Sequence, residues 1–261
     1  MKFIIKSKDR IEELKKMTYR FLKDNDIEDN DIFIFVSTAS NFNDYKIAYP
    51  ECHIIKGPLG ISNIDNFIVD YFDEGEHYVY LNDDIKNIYH ALNSNCLEQI
   101  KFKELVEKAF DIMVKNNISY GGVYPVKNAF YMMSTADPIS TNFNLITDPF
   151  SFNINNKKIK LTNFENGDFR DNTFSDYEKS ILHFKDRGAL LRFNHYVLDV
   201  KYFNGAKTSN RIGANCLYCA EAMMEKYPDY VSSIKPLKKH AGFYSLRLRR
   251  NKKSLVKIND E

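Results

Sequence analysis

The chain contains few of the residues that mark flexible linkers, and it has no long apolar run. Its 261 residues include 10 glycines, 7 prolines and no tryptophan, so long disordered linkers are not expected. A membrane-spanning helix needs roughly 18 consecutive apolar residues, and no stretch approaches that length. The N-terminal run "MKFIIKSKDR" becomes charged too early for a secretion signal. These absences predict a cytoplasmic protein with no membrane partner.

Cysteine is also scarce, which excludes a disulfide scaffold. The chain has four cysteines, too few for such a framework. Cys216 and Cys219 have the spacing of metal ligands, and His240 follows downstream, but a second ligand pair is missing. Because the surrounding "ANCLYCAEAMMEKYP" has a helical pattern, we favour buried thiols over a zinc site.

An excess of charge of one sign is absent as well. Lysine and arginine number 37 against 35 aspartates and glutamates, a net charge of +2, which excludes a polycation. Basic residues are nevertheless concentrated in residues 231–261, and the cluster comprises Lys238, Lys239, Arg247, Arg249 and Arg250. This segment is either solvated surface or a contact for an anionic partner.

What the first half does contain is an alternation of strand and helix patterns. The predicted strands are "FIIK", "DIFIFVST", "CHIIKG" and "HYVYLNDD", and the predicted helices are "DRIEELKKMTYRFLKDN", "GISNIDNFIVDYFDEG" and "CLEQIKFKELVEKAFDIMVKN". Ser62 and Asp65 fit a capping box at the start of the second helix, and Gly75 fits its end. Strands that alternate with helices indicate an α/β fold with a mostly parallel sheet.

The second half is more mixed and continues the same domain. We predict extended backbone for "SYGGVYPV" and "FNLI", and a hairpin in "FSFNINNKKIKL" that turns at Asn155 and Asn156. The segment "SDYEKSILHFKDRG" predicts a helix with Ser175 as its N-cap and Gly188 at its end. With no internal repeat and no linker, the sequence predicts one α/β domain over residues 1–261.

Paired carboxylates stand at the end of the fourth predicted strand, in "YVYLNDDI". Ligands of doubly wound sheets bind beyond the carboxyl ends of the strands, and an unpaired buried carboxylate is costly. Asp83 and Asp84 therefore suit a hard divalent cation, Mg²⁺ or Mn²⁺, with phosphate oxygens completing its coordination. An equally good interpretation is that one of them caps a following helix, "IKNIYHAL".

Several segments resemble the TET-associated glycosyltransferases, GT-A-type enzymes of phages and other DNA viruses. They are "FIIKSKDRIEELKKMTYRFL", "DIFIFV", "GISNIDNFIVDYFDEGEHYVYLNDDI", "YGGVYPVKNAFYM" and "SDYEKSILHFKDRGALLRFN", and they occur in the family's order. The resemblance covers roughly residues 3–230. It implies a single GT-A-like domain, with a nucleotide-sugar-binding half in residues 1–95, an acceptor-side half in residues 96–230 and the basic segment in residues 231–261.

The resemblance also implies a donor and metal site. Asp84 corresponds to a metal ligand, with Asp83 beside it, and the residues expected to bind the donor are Ser7, Arg10, Asn66, Asn82, Asp83, Lys207 and Arg211. Lys207 and Arg211 lie in a polar loop that would close over the donor. The chain departs from the family pattern at Lys6, where the family has proline, and at Asp65, where it has arginine. Asn82 likewise stands where an aspartate is usual.

The expected catalytic residues are Asp176 and Glu178, which resemble the acidic motif beside the acceptor hydroxyl. A carboxylate there can remove the hydroxyl proton as the sugar carbon is attacked. The alternative is that both acids stabilise a helix N-terminus. The acceptor or sugar pocket is expected to contain Gly122, Tyr124, Arg192 and Asn194; for the first two, a turn entering a core strand is an equal alternative.

Taken together, the resemblance implies a metal-dependent glycosyltransferase of an infected host cell. It would transfer a hexose or pentose from a nucleoside diphosphate sugar, most simply a UDP-sugar, to a hydroxymethylated pyrimidine in DNA. Two alternatives remain open: a transferase for glycans or proteins, and a non-catalytic protein that binds nucleotide sugar or nucleic acid.

Overall fold

The computed structural model describes residues 1–135, 137–200, 213–237, 241–249, 251–256 and 258. The strands are β1 (Lys2–Lys6), β2 (Ile32–Val36), β3 (His53–Lys56), β4 (His77–Asn82), β5 (Ile85–Asn93), β6 (Cys96–Gln99), β7 (Tyr120–Tyr124), β8 (Ile139–Ser140), β9 (Phe150–Ile154), β10 (Phe164–Asn166), β11 (Phe169–Asp171), β12 (Leu191–Val200), β13 (Val231–Pro236) and β14 (Tyr244–Leu248). The α-helices are α1 (Ile11–Leu14), α2 (Arg20–Asp24), α3 (Ala39–Ala48), α4 (Ile61–Tyr71), α5 (Phe102–Lys115), α6 (Ala129–Met133), α7 (Ser175–Arg187) and α8 (Ala214–Lys226), with a π-helical stretch at Lys15–Tyr19 and a 3-10 turn at Asp29–Asp31.

A large mixed sheet forms the centre of the molecule. Its strand order is β3-β2-β1-β4-β9-β7-β12-β5-β6, and β8 pairs with β12. The pairs β2–β3, β1–β2, β1–β4 and β7–β12 are parallel. Because β9 is antiparallel to both β4 and β7, the strands β1 to β4, β7 and β12 all run in one direction. The predicted α/β class, with a mostly parallel sheet and flanking helices, is confirmed.

Apolar side chains on both faces of the sheet hold the helices in place. All five residues of β2, "IFIFV", are buried, as expected for a strand that is covered on both sides. One face packs against the buried stripe of α5, which includes Phe102 and Val106. The other face packs against Ile64 and Ile68 of α4.

The helix predicted around Cys216 and Cys219 is present as α8, and both thiols are buried. They pack with Met223 and with Ile181 of α7 in a second apolar cluster. Within the described ranges, no three His, Cys, Asp or Glu side chains form a metal-binding group; His240 lies outside them. In the same ranges, no helix is long and apolar enough to cross a membrane.

Two elements of the first half differ from the sequence prediction. The segment "IKNIYHAL" is strand β5, which pairs with β12 and β6, so the interpretation of Asp83 or Asp84 as a helix cap is wrong. The predicted long helix from Cys96 begins only at Phe102, because Cys96–Gln99 forms the edge strand β6.

The predicted start of α4 is also wrong. Its N-cap is Gly60, at φ 97°, a conformation that glycine adopts without strain. The first amides, of Ile61 and Ser62, donate instead to the carboxylate of Asp171. Asp65 accepts no capping bond and lies among cations described below.

The ends of α4 and of β9 are joined by one asparagine. Asn155 does not form the predicted hairpin turn, because β9 pairs with β4 and β7. Its amide donates to the carbonyls of Val69, Phe72 and Asp73 at the end of α4. That helix ends at Tyr71, before the predicted Gly75. The segment "FNLI" is likewise not a strand.

Helix α7 begins and ends close to the predicted residues. Gly188 terminates it in the left-handed conformation, at φ 70°, as predicted. Ser175, however, is the first helical residue rather than the N-cap. Its hydroxyl donates to Asp148 at 3.0 Å, which carries it into the site described next.

Candidate functional site

The carboxyl ends of β1 and β4 lie side by side, since Lys6 pairs with Asn82. The polar residues that follow these strands therefore meet at one edge of the sheet. The Ser7 hydroxyl donates to Asp83 Oδ2 at 2.7 Å and lies 2.7 Å from the hydroxyl of the buried Tyr45. Ser7 and Asp83, which were both expected to bind the donor, therefore lie together in the fold.

Arg10 is the cation that lies against the two aspartates. Its Nη1 donates to Asp83 Oδ1 at 2.7 Å, and its Nη2 lies 3.9 Å from Asp84 Oδ2. The turn before it is held by Asp9, at φ 55°, which exchanges two hydrogen bonds with Asn41. The Arg10 amide donates to Tyr45. The arginine is therefore fixed at its backbone, while its side chain remains 24% exposed.

Burial makes this carboxylate pair receptive to a cation. Desolvation raises the pKa of Asp83 to about 6, although Ser7 and Arg10 act in the opposite direction. Desolvation also raises the pKa of Asp84, against the influence of Arg10. The two side chains supply the hard oxygen ligands that Mg²⁺ and Mn²⁺ prefer. A divalent cation fits here, with oxygens from a ligand or water completing its coordination.

Thr18 fixes the turn that carries the aspartates, and sequence reasoning missed it. Its hydroxyl donates to the Asn82 carbonyl at 2.6 Å and accepts from the Ile85 amide at 2.9 Å. The threonine is fully buried and lies in the π-helical stretch, a geometry that is frequent at functional sites. These two hydrogen bonds hold the backbone on both sides of Asp83 and Asp84.

A second group of charges lies beside this edge, with the ammonium groups of Lys6 and Lys179 over the ring of Tyr80. Lys6 and Lys179 both pair with Asp65, the latter at 2.8 Å. Lys179 also contacts Asp148 at 3.1 Å. Lys6 and Asp65, two of the three positions that depart from the pattern of the family that the sequence resembles, are therefore partners of each other.

Asp148 joins this group to the edge of the sheet. It precedes Pro149, whose carbonyl accepts from the Asn82 amide at 2.9 Å. Burial raises the pKa of Asp148, but Lys179 and Lys6 outweigh that effect and hold it below its usual range. Asp148 is thus a permanently ionised carboxylate that the sequence analysis did not identify.

Asp176 lies in the first turn of α7, next to this ionised group. Burial and the negative charge of Asp148 raise the pKa of Asp176 to about 7. In the described part of the chain its carboxylate accepts from the Tyr177 amide at 2.9 Å. A carboxylate with this proton affinity can exchange a proton near neutral pH.

Glu178, the other residue predicted to be catalytic, has its carboxylate engaged within the fold, which does not favour that prediction. Its carboxylate is fully buried. It accepts from Thr162, at both the amide and the hydroxyl, and from Asn172 and Tyr227. With its oxygens occupied by these donors, Glu178 acts as a structural anchor.

Three of the predicted pocket residues come together at the end of β7 and the first half of β12. Arg192 donates to Asn194 at 2.8 Å and lies over the ring of Tyr124, 5.5 Å from its centre. Gly122 has another role, because a Cβ at this position would stand 2.6 Å from Ile146. Its predicted approach to a sugar is replaced by close packing.

The remaining predicted donor contacts are divided. Asn82 stays at the edge of the sheet, where it accepts from the Tyr80 hydroxyl at 2.8 Å. Asn66 does not face this edge with a free amide: its Oδ1 accepts from the Leu161 amide, and its Nδ2 donates to the same residue's carbonyl. The predictions that fall outside the described residues are Lys207, Arg211, Lys238, Lys239 and Arg250.

Comparison with solved structures finds similar chains at low identity. One is glucosyl-3-phosphoglycerate synthase from Mycobacterium tuberculosis in complex with phosphoglyceric acid, at 10% identity and a TM-score of 0.49, covering 89% of this chain and 82% of that one. Another is a fragment of TarS from S. aureus, at 10% identity and a TM-score of 0.45, covering 76% of this chain and 59% of that one.

A third is the mannosyltransferase PcManGT from Pyrobaculum calidifontis in complex with GDP-Man and Mn²⁺, at 10% identity and a TM-score of 0.37. It is matched over 59% of this chain and 44% of that one, so the chain spans less than two thirds of both TarS and this enzyme. No protein-family model and no curated protein matches the chain.

Proposed function

We propose that the protein is a glycosyltransferase that moves a sugar from a nucleoside diphosphate sugar to an acceptor hydroxyl. The observation that carries this proposal is that one edge of the sheet holds carboxylates in two different environments. Asp83 and Asp84 are arranged around a cation. Burial and the charge of Asp148 raise the pKa of Asp176 to about 7. The first group suits a diphosphate with its metal, and the second suits a hydroxyl.

The donor would lie across the ends of β1 and β4. Arg10 is placed to contact a diphosphate, since its planar guanidinium matches phosphate oxygens. Asp83 and Asp84 would hold Mg²⁺ or Mn²⁺, which as a Lewis acid neutralises the charge that develops on the leaving diphosphate. Ser7 and Thr18 keep the two aspartates in place through the bonds described above.

Asp176 would act as the base. Its carboxylate accepts the proton of the acceptor hydroxyl, and the oxygen forms a bond to the anomeric carbon while the bond to the diphosphate breaks. Burial and the charge of Asp148 raise the pKa of Asp176, which strengthens it as a proton acceptor. Tyr124 and Arg192 would form the wall on the acceptor side.

The proposed acceptor is a hydroxymethylated pyrimidine in DNA, in the cytoplasm of an infected cell. The support is the sequence resemblance to the TET-associated glycosyltransferases and the basic residues of the C-terminal segment. In the described part of this segment, Arg247 lies on β14, and Arg249 donates to the Pro228 carbonyl at 3.0 Å.

The test is mass spectrometry of nucleosides from hydroxymethylated DNA after incubation with the protein, Mn²⁺ and a panel of UDP- and GDP-sugars. We expect a mass increase of one hexose or pentose on the modified pyrimidine, and none with Asp176→Asn. Transfer to a peptide or glycan with none to DNA would replace the proposed acceptor. Donor binding without transfer to any acceptor would identify a non-catalytic binding protein.

A further inference from the structure

We propose that Arg10 is a resident counter-ion which a divalent cation must displace from Asp83, so that the metal binds weakly until a nucleoside diphosphate takes up the guanidinium. This inference rests on the proposed donor site and specifies the order in which that site fills. It gives the protein's own residues the role of coupling metal affinity to donor affinity.

The contacts of Asp83 carry the first step. One of its carboxylate oxygens accepts from Ser7 and the other accepts from Arg10, both at 2.7 Å. Charge-assisted hydrogen bonds of this length are the strong ones. A metal ion that takes Asp83 as a ligand must therefore compete with Arg10 for the second oxygen.

Electrostatics carry the second step. The Arg10 guanidinium lies between the two aspartates, at 2.7 Å from one and 3.9 Å from the other. A divalent cation at the same carboxylates would face this positive charge at close range, and like charges in a partly buried place repel strongly. The metal and the guanidinium therefore compete for the negative charge of Asp83 and Asp84.

The freedom of the Arg10 side chain carries the third step. The backbone is held by the Asp9–Asn41 bonds and by the Arg10 amide to Tyr45. The side chain itself is partly exposed, so it can turn away from Asp83 without disturbing the turn. A diphosphate offers oxygen acceptors that the planar, forked guanidinium can bind with two N–H groups at once. When Arg10 turns to the diphosphate, it leaves the Asp83 oxygen that the metal needs.

The consequence is a reciprocal coupling between metal and nucleotide. Whatever factor the nucleotide adds to metal affinity, the metal must add to nucleotide affinity. Couplings of this kind usually amount to about 5–150-fold. Removing Arg10 should release the competition, so the metal should bind the nucleotide-free protein more tightly.

The experiment titrates Mn²⁺ into the full chain and measures free Mn²⁺ by electron paramagnetic resonance, without and with UDP. Arg10→Met should bind Mn²⁺ in the absence of UDP about 5–150-fold more tightly than the unmodified protein, and UDP should add less to it. Lys8→Met is the matched control, because it removes the same charge from an exposed residue two positions away; it should behave like the unmodified protein.

The variants also separate the possible failures. If Arg10→Met, folded by thermal melting, binds Mn²⁺ no more tightly than the unmodified protein, the competition is refuted. Should Arg10→Met melt early, Arg10→Gln replaces it, because it also removes the positive charge, and an unchanged Mn²⁺ affinity there is equally contradictory. Tighter binding that survives Asp84→Asn would place the ion elsewhere and overturn the proposal. A protein that shows the predicted Mn²⁺ affinities and transfers no sugar would instead contradict the proposed function alone.

Discussion

The two acidic groups at this edge of the sheet differ in how exposed the cation that neutralises them is. Asp83 and Asp84 meet one arginine whose side chain is 24% exposed. Asp65 and Asp148 share Lys179, whose side chain is 14% exposed and which contacts both carboxylates. A counter-ion on a movable side chain can be exchanged for another cation. Lys179 contacts two carboxylates and is less exposed than Arg10, so we expect it to stay in place as part of the fold.

The largest effect that tests this contrast is on stability. Lys179→Met leaves Asp65 and Asp148 without their shared cation, and breaking a buried ion pair costs about 3–5 kcal/mol. Arg10→Met should cost about 1–2 kcal/mol, because its pair is partly solvated. Urea unfolding of both variants measures the difference. Lys185→Met, at an exposed position of the same helix, should be close to neutral. Equal losses for Lys179→Met and Arg10→Met would remove the distinction.

The next effect concerns the base. Asp176→Asn keeps the shape of the side chain and removes its basicity, so turnover should fall about 10²-fold or more while donor affinity is retained. Steady-state kinetics together with donor titration measure the two quantities separately. If Asp176 only stabilised the start of α7, asparagine would serve as well, and turnover would stay near normal.

A smaller effect is expected from the neighbour of the base. The charge of Asp148 helps to raise the pKa of Asp176, so Asp148→Asn should lower that pKa from about 7 toward the ordinary range. The base works in its ionised form, which exists above its pKa. The acidic limb of the pH–rate profile should therefore move to lower pH. A profile that keeps its position would show that Asp148 does not set the proton affinity of the base.

The smallest effect concerns the acceptor. If the basic segment contacts the DNA backbone, log affinity should fall with log salt by about 0.9 for each phosphate neutralised on duplex DNA. Arg249→Gln should flatten this slope by about one unit and weaken all sequences alike. Fluorescence anisotropy at several salt concentrations measures it. An affinity that does not depend on salt would favour a glycan or peptide acceptor.

Sequence reasoning located what is local and missed what the fold assembles. Ser7, Arg10, Asp83 and Asp84 follow directly after strands with clear apolar patterns, so their meeting at the sheet edge was predictable. The position of Asp148 was not predictable, because it precedes a strand and its partners, Lys179 above all, come from distant parts of the chain.

Local ambiguity explains the wrong elements. The segment around Ile85 and Ile88 has apolar residues three apart, which fits a helix as well as the strand it forms between β12 and β6. Helix α3 was not predicted because its apolar residues form no stripe; its buried residues are Asn41 and Tyr45. Thr18 gave no signal, since a π-helical stretch has no pattern of its own in the sequence.

The most direct test of the account compares Asp84→Asn with Asp176→Asn by calorimetric titration of a UDP-sugar in the presence of Mn²⁺. We predict that Asp84→Asn loses the Mn²⁺-dependent part of donor affinity, whereas Asp176→Asn binds the donor as the unmodified protein does. Donor binding that depends on Mn²⁺ and is unchanged in Asp84→Asn would contradict the assignment of the cation to the Asp83 and Asp84 pair.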